Sequence, residues 1–192
     1  MDSKIRTGIY GGSFNPIHNG HIAIADKILS LAGLDEVWFV VSPHNPLKQA
    51  DGLLDDSKRL HMTRVALKGH ARLAASDCEF ALPRPSYMWN TLRHLSQKWP
   101  ERVFTLLIGA DNWMVFDRWA HHEDIIANYD IAIYPREGCT IDTAQLPPNV
   151  RLMDTGLYNV SSTMVRDMIK RGEDVSALIP TGIVAMAERW YR

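Results

Sequence analysis

The run VWFVV at residues 37–41 is too rich in β-branched and aromatic residues to leave a polar face. A strand of that composition is buried on both sides, as in parallel sheets covered by helices. VFTLLIG at residues 103–109 reads as a further strand. The flanking segments supply the helices. Residues 5–10 read as a strand and 19–32 as a helix, with Ile22, Ile24, Ile28, Leu29 and Leu31 inward and Gly33 as its stop. A second helix fits 57–68, closed by Gly69, and 71–80 reads as extended. Ser86 is placed to cap a helix running through Trp99, which Pro100 ends. Further on come a helix at 121–128, a strand at 130–134 and a short strand at 150–153. Ser161 or Ser162 caps a helix ending at Gly172, and Pro180 or Thr181 opens the last helix, through Trp190. Strand and helix alternate, so the expected architecture is a parallel α/β sheet with ligands beyond the carboxyl ends of its strands. Right-handed crossovers restrict the topology further.

The 192 residues fit one domain, 1–192, with the segment 161–192 packed on it. A net charge of −1 supplies no global field for holding nucleic acid or an anionic membrane, so any phosphate site must be local. Two cysteines, Cys78 and Cys139, without C-x-x-C spacing, argue against a disulfide framework or structural zinc and favour a reducing, cytoplasmic setting. Neither a signal peptide nor a membrane span is expected. The polar stretch 49–58 is the best candidate for a mobile loop. His121, His122, Glu123 and Asp124 point to different faces of a helix start, so they read as capping rather than as a metal site.

The segment joining the first strand to the first helix, GIYGGSFNPIHNGHI at residues 8–22, concentrates the chemistry. Gly11 and Gly12 allow close backbone approach, Pro16 stiffens the turn, and His18 and His21 flank Gly20 where helix N–H groups lie open to an anion. Near the other end, Ser162, Thr163 and Arg166 in NVSSTMVR would clamp phosphate oxygens at a second helix start.

HNGH resembles the (H/T)-x-G-H signature of the nucleotidyltransferase superfamily, and NVSSTMVR its (I/V)-S-S-T-x-(I/V)-R motif. IGADNWMVFDRW at 108–119, SYMWNTL at 86–92, YPREG at 134–138 and, loosely, SPHNPLK at 42–48 resemble segments of the nicotinate-nucleotide adenylyltransferases. The resemblance implies a Rossmann-like, doubly wound fold. It implies that ATP is held by Gly11, Gly12, Ser13, Phe14, His18, His21, Gly109, Asp111, Ser162, Thr163 and Arg166. It implies that nicotinate mononucleotide is held by Asn15, Lys48, Met88, Thr91, Trp119 and Arg136, with the tryptophan stacked on the pyridine ring. His18, His21, Lys48 and Arg166 would then serve the reaction itself. Met88, Asn90 and Leu47 depart from the family's Thr, Asp and His.

The implied chemistry is in-line attack of the mononucleotide phosphate on the α-phosphorus of ATP. That phosphate is mostly dianionic at neutral pH and needs no general base. Mg²⁺ is expected on the substrate phosphates, with no protein ligand. The rivals are phosphopantetheine adenylyltransferase and a non-catalytic nucleotide sensor on the same fold. The oligomeric state is open.

Overall fold

A computed structural model describes residues 4–43 and 52–192. Its elements run β1 (Ile5–Gly12), α1 (Asn19–Leu31), β2 (Glu36–Val41), α2 (Asp56–Ala66), β3 (Leu73–Ser76), α3 (Met88–Lys98), β4 (Arg102–Gly109), α4 (Ala110–Trp113), α5 (His122–Asn128), β5 (Asp130–Tyr134), β6 (Val150–Leu152), α6 (Ser162–Lys170) and α7 (Val184–Tyr191). The strands form one parallel sheet in the order β3-β2-β1-β4-β5-β6. This is the doubly wound order, in which the chain reverses direction across the sheet between β1 and β4. A crevice opens there, beyond the carboxyl ends of both strands.

Alternation along the strands divides the core in two. Tyr10, Val37, Phe39, Leu107 and Ala132 face α1, α2 and the carboxyl-terminal segment, which contributes Val165, Ile169, Ile179, Ile183 and Tyr191. Ile9, Val40, Leu106, Ile108, Ile131 and Ile133 face the other way, onto Leu92 and Leu95 of α3 and Ile125 of α5. Both faces are therefore covered, as the apolar run at residues 37–41 requires.

Several local expectations need correction. Leu31, the last residue of α1, points outward, 49 % exposed, whereas Ile28 and Leu29 in the same turn are buried. Residues 71–80 split into β3 and a 3₁₀ turn, Cys78–Ala81. The N-cap of α3 is Tyr87, not Ser86, and no side chain caps that helix. The short helix α4 directly follows β4. Of the stretch 49–58, the described part from Gly52 is tied down. Asn15 donates to the Gly52 carbonyl at 2.9 Å, and the Asp55 carboxylate accepts from Ser57 and Lys58 N–H at the start of α2. Among the described residues no helix is long and apolar enough to cross a membrane.

The loops around the crevice are held by a guanidinium without a carboxylate partner. Arg59, on α2, is fully buried. Its Nε donates to the Leu54 carbonyl at 2.8 Å, and its terminal nitrogens donate to the carbonyls of Ser13, Ser42 (2.9 Å) and Pro43 (3.2 Å). Four carbonyls from two loops, β1–α1 and the two ends of β2–α2, thus share one rigid fork, a geometry a lysine cannot reproduce. Arg59→Met should destabilise the fold by about 3 kcal/mol, because buried carbonyls lose their donors. Arg59→Lys should fall between it and the wild type in urea denaturation. A wild-type midpoint for Arg59→Met would show that these carbonyls do not depend on the fork.

Candidate active site at the carboxyl edge of the sheet

The crevice is a cavity of about 650 Å³, walled by the ends of β1, β4 and β5, the starts of α3 and α4, and the start of α6. Its floor is the turn from β1 to α1. There the backbone of Phe14 takes a left-handed φ of +43°, uncommon for a residue with a side chain. Packing holds it in place, since the Phe14 ring meets those of Tyr10 and His21 edge-on at 5.7 and 5.2 Å. Gly11 leaves space that Met88 fills, since a Cβ on Gly11 would lie 2.6 Å from the Met88 methyl carbon. Gly20 has a similar reason: a Cβ there would lie 2.7 Å from a methyl of Val160, on the segment leading to α6.

His18 is the N-cap of α1 and His21 its third residue. The His18 Nδ1 accepts from the His21 backbone N–H at 3.3 Å, and the His21 Nδ1 accepts from the His18 N–H at 3.2 Å. The two rings stack, with centroids 3.5 Å apart. This is a capping box made with imidazoles. Because each Nδ1 uses its lone pair as acceptor, each neutral ring carries its proton on Nε2 and is a donor there. Burial, and secondarily the Arg136 guanidinium, push the His18 pKa from 6.5 down to about 3. His18 is therefore a neutral donor at physiological pH rather than a cation.

The start of α6 is pinned to the same turn. Ser161 caps the helix, accepting from the Met164 N–H at 3.1 Å, which decides between the two serines. The Ser162 hydroxyl donates to the Pro16 carbonyl at 2.8 Å. Arg166 donates to the Asn15 carbonyl at 2.7 Å and to the Thr163 hydroxyl at 3.2 Å. Arg136, after β5, faces Asp111 at 3.7 Å and lies 5.2 Å from the centre of the Tyr134 ring.

Most residues singled out in the sequence meet at this cavity: Gly11, Gly12, Ser13, Phe14, Asn15, His18, His21, Met88, Gly109, Asp111, Trp119, Arg136, Ser162, Thr163 and Arg166. Two qualifications apply. Asn15 spends its amide mainly on the protein, donating to Gly52 and accepting from the Leu54 N–H and the Tyr191 hydroxyl. Thr91 is fully buried and donates to Glu79 Oε1 at 2.8 Å, so its side chain stands behind the wall rather than in it. Lys48 and Leu47 lie outside the described residues.

Tyr10, Glu79, Ser86, Arg118 and Tyr134 line the cavity without having been singled out. The Glu79 carboxyl is raised in pKa by its burial, opposed by the Thr91, Ser42 and Ser86 hydroxyls. Alternation in β1 and β5 could have placed Tyr10 and Tyr134 on one face, but nothing in the sequence distinguishes them from core residues. Among the described residues no three His, Cys, Asp or Glu gather as a metal site. His121 pairs with Asp124 at 3.0 Å instead of capping α5.

A family model described as cytidylyltransferase-like matches residues 9–168. The chain belongs to that family. Among its curated relatives in the cytidylyltransferase-like family, a probable nicotinate-nucleotide adenylyltransferase of Bacteroides fragilis is 50 % identical, covering 90 % of this chain and 86 % of the relative. One so named from Flavobacterium johnsoniae is 40 % identical, covering 92 % of each. Among solved structures, the Plasmodium falciparum nicotinic acid mononucleotide adenylyltransferase complexed with NaAD superposes with a TM-score of 0.80 over 97 % of both chains, at 21 % identity. That likeness shows the common fold, the doubly wound sheet expected from the sequence.

The buried imidazole makes stability depend on pH. Folding favours neutral His18, whereas the unfolded chain takes up a proton near pH 6.5, so the contribution is complete above that pH and is lost as pH falls. The loss should approach roughly 1.4 kcal/mol per pH unit between about 6 and 4. His18→Asn keeps a capping acceptor and removes the titration. In urea denaturation at pH 7 and pH 5, the gap between wild type and His18→Asn should shrink or reverse at the lower pH. A gap independent of pH would refute a depressed His18.

Proposed function

We propose that this chain is an adenylyltransferase that joins ATP and nicotinate mononucleotide to give deamido-NAD and pyrophosphate, a step of NAD biosynthesis. The observation that carries it is the meeting of two Nε2 donors, His18 and His21, with Ser162, Thr163 and Arg166 across one cavity. The relatives' shared name supports the substrate pair. A cytoplasmic location belongs to the same reading, and the free thiols of Cys78 and Cys139 agree with it.

The mononucleotide phosphate oxygen attacks the α-phosphorus in line. A new P–O bond forms as the bond to the β-phosphate oxygen breaks, and pyrophosphate leaves with the electron pair. No proton has to be removed from the dianionic nucleophile. The enzyme's task is positioning and stabilisation of charge developing on the α-phosphoryl and leaving oxygens. His18 and His21 donate from Nε2 to the α-phosphoryl and bridging oxygens without themselves needing to ionise. Arg166, Ser162 and Thr163 hold the departing pyrophosphate at the start of α6. Trp119 offers a ring face to the pyridine, and Arg136 a cation to the mononucleotide phosphate.

The donor set fits a Mg²⁺ carried in by the substrate. The carboxylates that line the cavity among the described residues are already engaged, Glu79 with Thr91 and Asp111 with Arg136, so the substrate phosphates rather than these side chains would hold the ion. When bound it neutralises phosphate charge.

Pyrophosphate release should be fast with Mg²⁺, ATP and nicotinate mononucleotide. Turnover only with phosphopantetheine would reassign the acceptor. ATP-dependent thermal stabilisation without release from any acceptor would indicate the sensor. His18→Ala and His21→Ala should each lower kcat by about 10²–10³, and full activity in both would remove the mechanism. Trp119→Ala should raise KM for the mononucleotide more than for ATP, and equal effects would reject the stacking role.

A further inference from the structure

We propose that Arg118 is a specificity-determining residue that selects an acceptor bearing a carboxylate on its ring over the same acceptor bearing a carboxamide. The guanidinium would pair with that carboxylate beside the Trp119 ring. The inference rests on the adenylyl-transfer reading above and names the group that decides between its two closest substrates.

Three guanidinium groups line the cavity, and two are already engaged. Arg166 is held by the Asn15 carbonyl and Thr163, and Arg136 faces Asp111 and the Tyr134 ring. Arg118 lies on the 3₁₀ turn Phe116–Arg118, immediately before Trp119. Among the described residues its side chain makes no hydrogen bond, ion pair or ring contact. It is a cation placed at the wall of a binding cavity with its five donors uncommitted.

The rest of the cavity gives a ring carboxylate reason to need it. Asp111 lines the space and repels a second carboxylate. The Met88 thioether, which also lines it, has no donor to give. A carboxylate can accept two parallel N–H bonds from a guanidinium, with charge on both partners, whereas a carboxamide offers one neutral oxygen and adds an NH₂ that an arginine cannot satisfy. The phosphate is common to both acceptors, so a contact there would not discriminate.

The test is kcat/KM for nicotinate and nicotinamide mononucleotide at saturating ATP, in the wild type, Arg118→Gln and Arg118→Lys, with calorimetric Kd values for both acceptors. The wild type should favour the acid. Arg118→Gln should lower the acid-to-amide ratio by about 10- to 100-fold, the range of a lost hydrogen bond to a charged group. Arg118→Lys should recover part of that ratio, since it restores charge without the fork. Equal losses with both acceptors, or an unchanged ratio, would overturn the role of Arg118 while the continuing turnover upheld adenylyl transfer. A wild type that releases pyrophosphate with neither acceptor would overturn both readings.

Discussion

Two hydrogen bonds between backbone and imidazole at the start of α1 govern the site. A helix beginning at a strand end needs acceptors for its first N–H groups, and a serine and a glutamate could supply them equally well. Using His18 and His21 instead has a second effect: each cap bond occupies Nδ1 and so leaves the proton on Nε2. The same contacts that begin the helix therefore set the tautomer of both rings. Burial then holds His18 neutral. A neutral donor needs no proton uptake before it meets a phosphate, and its preference survives across the physiological pH range.

The turn carrying these histidines is not self-sufficient. Its carbonyls and the Asn15 amide are bonded by groups far away in the chain: Ser162 to Pro16, Arg166 to Asn15, Tyr191 to Asn15, and Arg59 to Ser13. The first three partners are 146 to 176 residues distant in sequence. The cavity floor thus reaches its final geometry only once α6 and α7 have docked on the α1 face of the sheet. Val165, Ile169, Ile183 and Tyr191 supply the apolar contact for that docking. Fold completion and site completion are coupled, because the polar bonds of the turn and the packing of the last helices come from the same two helices, and Tyr191 serves in both.

This division explains what could be read from the chain. The β1–α1 unit, the parallel architecture and a serine-led start of α6 follow from local patterns: apolar runs, a hydroxyl before a helix, glycine at a turn. The burial of Arg59 does not, because DDSKRLH, residues 55–61, has the pattern of a solvated helix start, and only the carbonyls of Ser13, Ser42, Pro43 and Leu54, brought together from two loops, make a buried guanidinium tolerable. Asn15 and Thr91 were assigned to a ligand by resemblance, yet their side chains bond chiefly to Gly52, Leu54, Tyr191 and Glu79. Glu79 itself sits in CEF, a segment whose short 3₁₀ turn carries no periodic signal. α4 is only four residues long, below the length at which a helical pattern repeats.

The neutrality of His18 also dictates where positive charge must lie. With His18 uncharged, the cavity's cations among the described residues are guanidinium groups on three separate supports: the turn after α4, the segment after β5, and α6. They surround a floor of backbone, stacked imidazoles and buried aromatic rings that holds direction rather than charge. A chain with a net charge of −1 can thereby bind two polyanionic substrates, since the attraction is concentrated at the wall of one crevice. Separating the functions has a physical advantage for a transfer between two phosphates. Cations on different elements can each follow a different anionic group, while the two imidazoles on the floor remain fixed by the first turn of a single helix.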